Sequence, residues 1–240
     1  MKRTVKMMVL VAVAAGLVFA SCQKEDSNNT AANNGGSNGG TNCGGHTTVE
    51  WVDLGLPSGL LWNTCNLGAL SPEEYGDYYA WGETTTKEVY DWSTYKYCIV
   101  DADGNLRTLT KYDGSPDDPT TLDGWDDAAA HELGGGARMP TEAEWKELIN
   151  NTTAEWTTMN GDNGRKFTAS NGESLFLPVA GYRWDGELYS AGSAGFFWSS
   201  SLAESRPDFA WGFYFDSGVP GMSIDFRYCG QSVRPVRSAR

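Results

Sequence analysis

Histidine is almost missing from this sequence: only His46 and His131 occur in 240 residues. Two imidazoles cannot supply a His-rich metal centre, and they leave a Ser-His-Asp triad very few ways to assemble. Basic residues are also scarce, 18 against 31 acids for a formal net charge of −13, and Lys2, Arg3 and Lys6 already fall in the extreme N-terminus. Neutralising phosphates needs a basic face, so nucleic acid is excluded as a partner. The long apolar run from Met7 to Phe19 has 13 residues, short of the roughly 20 that a membrane-crossing helix requires. No CxxC, HExxH, GxGxxG or P-loop pattern occurs. Nor does any period of about 20 to 50 residues recur, which excludes solenoids and propellers.

What is present begins with an address. Basic Met1 to Lys6, the apolar run, and small Ala20 and Ser21 before Cys22 form the three parts of a secretory signal. Phe19-Ala20-Ser21-Cys22 resembles the lipobox of bacterial lipoproteins, with Phe where Leu is usual. That resemblance implies removal of 1–21 and lipidation of Cys22. Residues 22–48 then read as a tether: Gln23-Lys24-Glu25-Asp26 is followed by a Ser/Asn/Gly/Thr tract too poor in apolar side chains to offset its ordering entropy. A Gly-rich coil of 26 residues, Gln23 to Thr48, reaches about 28 Å, enough to clear a headgroup layer. Lys24-Glu25-Asp26 resembles the export signals of Bacteroidetes-type lipoproteins, so the expected location is the outer membrane, lipid-anchored at the cell surface.

Removing Cys22 leaves Cys43, Cys65, Cys98 and Cys229, an even number in an oxidising compartment, which allows three full pairings. Cys65 to Cys98, both in the ordered N-terminal half, is the preferred bridge. Free thiols at Cys43 and Cys229 are equally compatible with the spacing.

Residues 49–237 read as one packed domain, with 238–240 a tail. Glu50 to Trp62 is expected to form two short strands around Pro57-Ser58-Gly59. Tyr95 to Val100 and Leu106 to Thr110 are expected to form a hairpin across Asp101 to Asn105, a loop whose Gly comes one residue too early for an EF-hand. Two helices follow. The first spans Trp125 to Leu133 and stops at Gly134-Gly135-Gly136; the second opens with the capping box Thr141 to Glu144 and turns Trp145, Leu148 and Ile149 inward. Short strands are expected at 166–168, 175–180, 196–200, 210–216 and 222–228. Helices placed among short, mostly antiparallel strands indicate an α+β fold.

Arg138-Met139-Pro140-Thr141-Glu142-Ala143-Glu144-Trp145 resembles the signature of the formylglycine-generating-enzyme-like branch of C-type-lectin-like domains. Gly230 to Arg237 (GQSVRPVR) is similar to the strand that closes that fold. Together with Trp51 to Trp62, Tyr75 to Glu83 and Phe197 to Ser201, the likeness extends to Bacteroidetes lipoproteins with a Fibrobacter succinogenes major-paralogous domain. The resemblance implies a C-type-lectin-like α+β fold over 49–237. Its enzymatic members use paired C-terminal cysteines with copper, whereas this chain has only Cys229 there.

Catalysis therefore has to be sought in carboxylates. Glu83, Glu142 and Glu144 are the glycosidase-like candidates. Helix capping explains Glu142 and Glu144, a turn explains Glu83, and His131 has no nucleophile to serve. The expectation is a protein that is not an enzyme, with a formylglycine-generating-type or glycan-processing enzyme and a structural cell-envelope component as the alternatives. Expected cofactors are none. Calcium is possible because Asp117, Asp118, Asp123, Asp126 and Asp127 are dense, although no spacing among them specifies a site.

The C-terminal hairpin carries the binding expectation. Trp211, Phe213 and Phe215, with Met222, Ile224 and Phe226, alternate with Gly212, Tyr214, Asp216, Ser223, Asp225 and Arg227, so one face builds core and the other meets a ligand. The expected site comprises Asp208, Phe209, Gly212, Tyr214, Asp216, Ser223, Asp225, Arg227, Tyr228 and Cys229, and the expected ligand is a protein or a glycan. The strands also resemble those of diversity-generating-retroelement target proteins, whose adenine-directed mutagenesis reaches the residue types at most of these positions. That resemblance implies a face open to diversification.

Overall fold

The computed structural model describes residues 50–239. Lipidation at Cys22, the signal segment, the tether and Cys43 lie outside the described residues. Among the described residues there are two helices and fifteen strands, in the order β1 (Trp51–Asp53), β2 (Leu60–Asn63), β3 (Tyr78–Tyr79), β4 (Cys98–Val100), β5 (Leu106–Leu109), α1 (Ala128–Leu133), α2 (Glu142–Asn151), β6 (Thr152–Met159), β7 (Asp162–Ala169), β8 (Ser174–Pro178), β9 (Tyr182–Trp184), β10 (Glu187–Tyr189), β11 (Gly195–Leu202), β12 (Phe209–Phe215), β13 (Gly221–Phe226), β14 (Gln231–Ser232) and β15 (Val236–Ser238).

The α+β, C-type-lectin-like expectation is overturned: the domain is mostly β, built from several small sheets. Helix α1 has only six residues, starting at Ala128 and not at the expected Trp125, because Asp127 caps its N-terminus and Gly134 at φ 57° ends it. Helix α2 has ten and carries the expected capping box. Two turns add strands beyond those expected. Asn160-Gly161 (φ 52° and 100°) joins β6 to β7, and Asp185-Gly186 (φ 47° and 82°) joins β9 to β10. Two-residue turns with both φ values positive match the twist of the paired strands, which is why Asn-Gly and Asp-Gly favour hairpins.

The two N-terminal strands and the β4–β5 hairpin form as expected. A three-stranded sheet runs β1-β2-β15, a second runs β6-β7-β8, and the largest runs β13-β12-β11-β14-β3. That five-stranded sheet parts two apolar clusters. Phe197, Phe213 and Phe215 point to one, with Trp62, Trp145, Leu148 and Phe167; Trp198 and Ala210 point to the other, with Trp81, Tyr90 and Tyr112. Alternation along β11 and β12 produces this division.

Helix α2 sits on the first side, where Trp145 stacks on Phe213 at 4.7 Å and tilts against Trp62 at 4.9 Å. Three buried indoles keep their N–H groups satisfied: Trp145 donates to Trp198 O (3.2 Å), Trp198 to Tyr79 O (2.8 Å) and Trp81 to Ser199 O (2.8 Å). Each bond removes a desolvation penalty that would otherwise offset the gain from burying the ring.

The expected Cys65–Cys98 bridge is absent. Cys98 is a free thiol donating to Trp92 O and Tyr95 O, and Cys229 is also free. Cys65 is disulfide-bonded, but to neither of these. Sequence proximity to ordered strands is the wrong guide, because the local carbonyls of 92 and 95 fix the Cys98 side chain instead.

Candidate functional site

One face of the five-stranded sheet continues past the Trp198 cluster into solvent. Strand register sets its contents: Phe196 lies opposite Tyr214, Gly212 opposite Ser223, Tyr214 opposite Gly221 and Ala210 opposite Asp225. The β9–β10 hairpin flanks this face, held by Arg183 N to Gly230 O (2.7 Å), Gly230 N to Arg183 O (2.9 Å) and Gly181 N to Ala194 O (2.9 Å). Its rings extend a chain of contacts across the surface. Tyr214 meets Phe196 at 5.0 Å, Phe196 meets Tyr182 at 4.8 Å, Tyr182 stacks on Tyr189 at 5.6 Å, and Tyr189 meets Trp184 at 5.8 Å. Trp184 and Tyr189 are 44% and 38% exposed, large apolar groups left in water.

Polar groups sit among these rings. Tyr214 donates its hydroxyl to Asp216 Oδ2 (2.8 Å). Burial first, and then this bond, pushes the tyrosine up to about 12. Asp216 is held below the ordinary carboxylate range by the Gly218 N–H and then by Tyr214. Asp225 accepts from Gln231 Nε2 (2.9 Å), yet burial outweighs that bond and raises its carboxyl above the usual range. Gly212 is buried and close-packed: a Cβ there would stand 3.1 Å from Gln231 Oε1 and 3.1 Å from Phe197 O. Gln231 Oε1 and, on the neighbouring strand, Ser223 Oγ are buried without a hydrogen-bond partner.

Gly212, Tyr214, Asp216, Ser223 and Asp225 are thus brought together as expected. Tyr228 and Cys229 are buried at its margin; Tyr228 packs on Trp92 (4.8 Å) and Phe226 (5.2 Å), and burial raises the Cys229 thiol. Asp208 and Phe209 lie elsewhere. Asp208 pairs with Arg206, whose guanidinium covers the Phe209 ring at 4.3 Å, and Phe209 falls on the opposite side of β12 from Gly212 and Tyr214.

Arg227 needs the plainest correction, since it is wholly buried. Its guanidinium donates to Tyr95 Oη, Tyr112 O, Pro207 O and Lys111 O and lies over Trp81, Tyr95 and Tyr112. Strand alternation ends at Phe226, so the two-residue period no longer applies to it. Tyr182, Trp184, Tyr189, Phe196 and Gln231 join the face without having been expected there. The signal for the first three is the Asp185-Gly186 turn between aromatic residues.

The carboxylate candidates for catalysis are engaged in the fold. Glu142 pairs with Lys146 (2.6 Å), Glu144 caps α2 and takes Arg138 through both oxygens (2.7 and 2.6 Å), and Glu83 holds Lys87 and the Lys96 N–H. His131 is exposed beside Glu132. The acidic residues considered for calcium disperse: Lys111 bonds to Asp123 and Asp126, Asp126 also takes the hydroxyls of Tyr97 and Tyr112, Asp118 accepts the Asp113 N–H, and Asp127 caps α1. Among the described residues no group of three or more His, Cys, Asp or Glu side chains converges as a metal site.

The model of a domain of unknown function (DUF8237) matches residues 152–236, from β6 to the start of β15. No curated protein and no solved structure matches the chain.

Proposed function

We propose that this chain is a lipid-anchored binding module, displayed on the outer membrane from Cys22, whose ligand site is the aromatic face formed by β9–β10 and the β11–β12–β13 strands. The observation that carries this reading is the run of rings from Tyr214 through Phe196, Tyr182 and Tyr189 to Trp184, of which Trp184 and Tyr189 are 44% and 38% exposed. Apolar rings left in water gain free energy when a ligand covers them. Recognition rather than catalysis is supported by the ion pairs and caps that occupy Glu83, Glu142 and Glu144.

Two experiments test the proposal. Cys22→Ala is expected to release the protein from the membrane fraction, and retention there refutes the anchor. A combined glycan array and displayed-peptide library, probed with the wild-type domain and with a Trp184→Ala/Tyr189→Ala double variant, is expected to yield ligands that the variant loses. If every ligand binds both proteins equally, the face is not the site.

A further inference from the structure

We infer that Cys65 is joined to Cys43, and that this disulfide fixes the segment leading from the membrane anchor to the domain at the end of β2. The chain has five cysteines. Cys65 is disulfide-bonded, whereas Cys98 and Cys229 are free thiols. The bond is internal to the one chain, so two candidate partners remain, Cys22 and Cys43.

Backbone pairing favours Cys43. Antiparallel β1 and β2 place Trp51 opposite Asn63, and Thr64 N donates to Glu50 O (3.1 Å), so the chain enters the domain beside Cys65. Cys43 is seven residues before Glu50, a length of chain that spans up to about 24 Å and can turn back to the roughly 5.5 Å between Cα atoms that a disulfide needs. Pairing with Cys22 would close a 43-residue loop in place of a 22-residue one, about threefold less favourable. Lipidation also consumes the Cys22 sulfur; that second ground rests on the lipid-anchor reading, and the first does not.

Cys65 is a firm point of attachment. Its N–H donates to Asn63 Oδ1 (3.0 Å), and wholly buried Arg234 donates to Asn63 O (3.1 Å), Thr64 O and Asn66 Oδ1 (3.0 Å) on either side of it. Asn63 N and Leu67 N donate to Pro235 O and Val233 O, both at 2.9 Å. By contrast β1 is a three-residue edge strand, paired on one side only and half-buried to exposed. Tension entering through Glu50 would peel it from β2 pair by pair. With the bond in place β1 lies inside the closed loop, and tension passes from Cys43 to Cys65 without loading the edge strand. Closing the loop also lowers the entropy of the unfolded chain, which stabilises the β1–β2 pairing.

Formation of the bond requires an oxidant, here a protein or small-molecule disulfide of the cell envelope. The thiolate of one cysteine attacks it to give a mixed disulfide, which the other thiolate displaces. Two electrons and two protons leave the chain, and the oxidant departs as two thiols.

The test takes the full chain from membranes without reductant, alkylates its free thiols in denaturant and cleaves it after glutamate. Cuts at Glu25, Glu50 and Glu73 put Cys22, Cys43 and Cys65 on three different peptides. The expected product is peptide 26–50 linked to 51–73, the two separating on reduction. A link from Cys22 to Cys65 overturns the assignment and lipidation of Cys22 together. Alkylated Cys43 and Cys65, or Cys65 linked to any other partner, overturn the assignment and leave the anchor to be judged by Cys22→Ala. Cys43→Ser supplies a second readout by hydrogen exchange. Amides of β1 and β2 are expected to exchange at least about tenfold faster in the variant, with those of β11 and β12 unchanged. Unchanged protection of β1 overturns the role given to the bond.

Discussion

The guanidinium of Arg227 lies 4.8 Å from the centre of the Trp81 ring, with neither side chain reaching solvent. Four hydrogen bonds, to Tyr95 Oη and to the carbonyls of Lys111, Tyr112 and Pro207, hold the cation there without any carboxylate. This one side chain ties the end of β13 to the segments around residues 95, 111 and 207. The cation is tolerable because the aromatic faces and carbonyl dipoles replace water around it.

Arg227→Met keeps much of the volume but strands those three carbonyls, while the Tyr95 hydroxyl still donates to Trp81 O. Each buried unpaired group costs about 1–3 kcal/mol, so the loss of unfolding free energy is expected at about 3–5 kcal/mol by urea titration. Arg227→Lys should also be costly, because one ammonium cannot span four acceptors in a planar fork. A change below about 1 kcal/mol for Arg227→Met would show that the cage is not structural.

The Asn160-Gly161 turn separates backbone strain from packing. Gly161 sits at φ 100° with nothing within 4 Å of where a Cβ would stand, so Gly161→Ala meets no clash and suffers only the positive φ. The expected cost is about 1 kcal/mol, read as a lower denaturation midpoint with an unchanged m-value. Asn160→Gly, at φ 52°, should change stability much less.

That turn also explains what was legible. The capping box at Thr141 was readable because it depends on local donors and acceptors within a single helical turn, and so was the alternation that sends Phe213 and Phe215 inward. Asn160-Gly161 and Asp185-Gly186 carry equally local signals, and reading them as hairpins would have exposed the β character of 152–189. The position of Arg227 was not legible, since its acceptors at 95, 111, 112 and 207 come together only in the folded chain. The aromatic face was half legible for the same reason. Strand period finds Gly212, Tyr214 and Asp225, but Tyr182, Trp184 and Tyr189 arrive through the Arg183–Gly230 pairing between distant segments.

The thiols offer a direct check on covalent structure. Cys98 and Cys229 are free, and burial raises both thiols above their ordinary range. A raised value keeps the reactive thiolate rare at neutral pH. Alkylation of the native domain is expected to be slow at both positions and rapid at both in denaturant, with mass spectrometry finding no peptide that links Cys65 to Cys98. Recovery of that linked peptide would contradict the thiol arrangement.

Asp225 makes the stability depend on pH in a direction opposite to most carboxylates. Burial raises its folded carboxyl above the unfolded value, against the smaller opposing effect of Gln231. The folded state therefore holds the proton more tightly than the unfolded chain. Its contribution is fully present below the unfolded aspartate pKa, about 3.9, and is lost as pH rises through the folded value. Asp225→Asn keeps the shape and stays neutral at every pH. Relative to wild type, the variant is expected to gain stability between acid and neutral pH, with the difference levelling off above the folded pKa, when both proteins are titrated with urea at several pH values. A difference that stays flat from pH 4 to pH 8 would mean that Asp225 ionises in the fold as freely as in water, and one that shrinks as pH rises would mean that the fold favours its charged form.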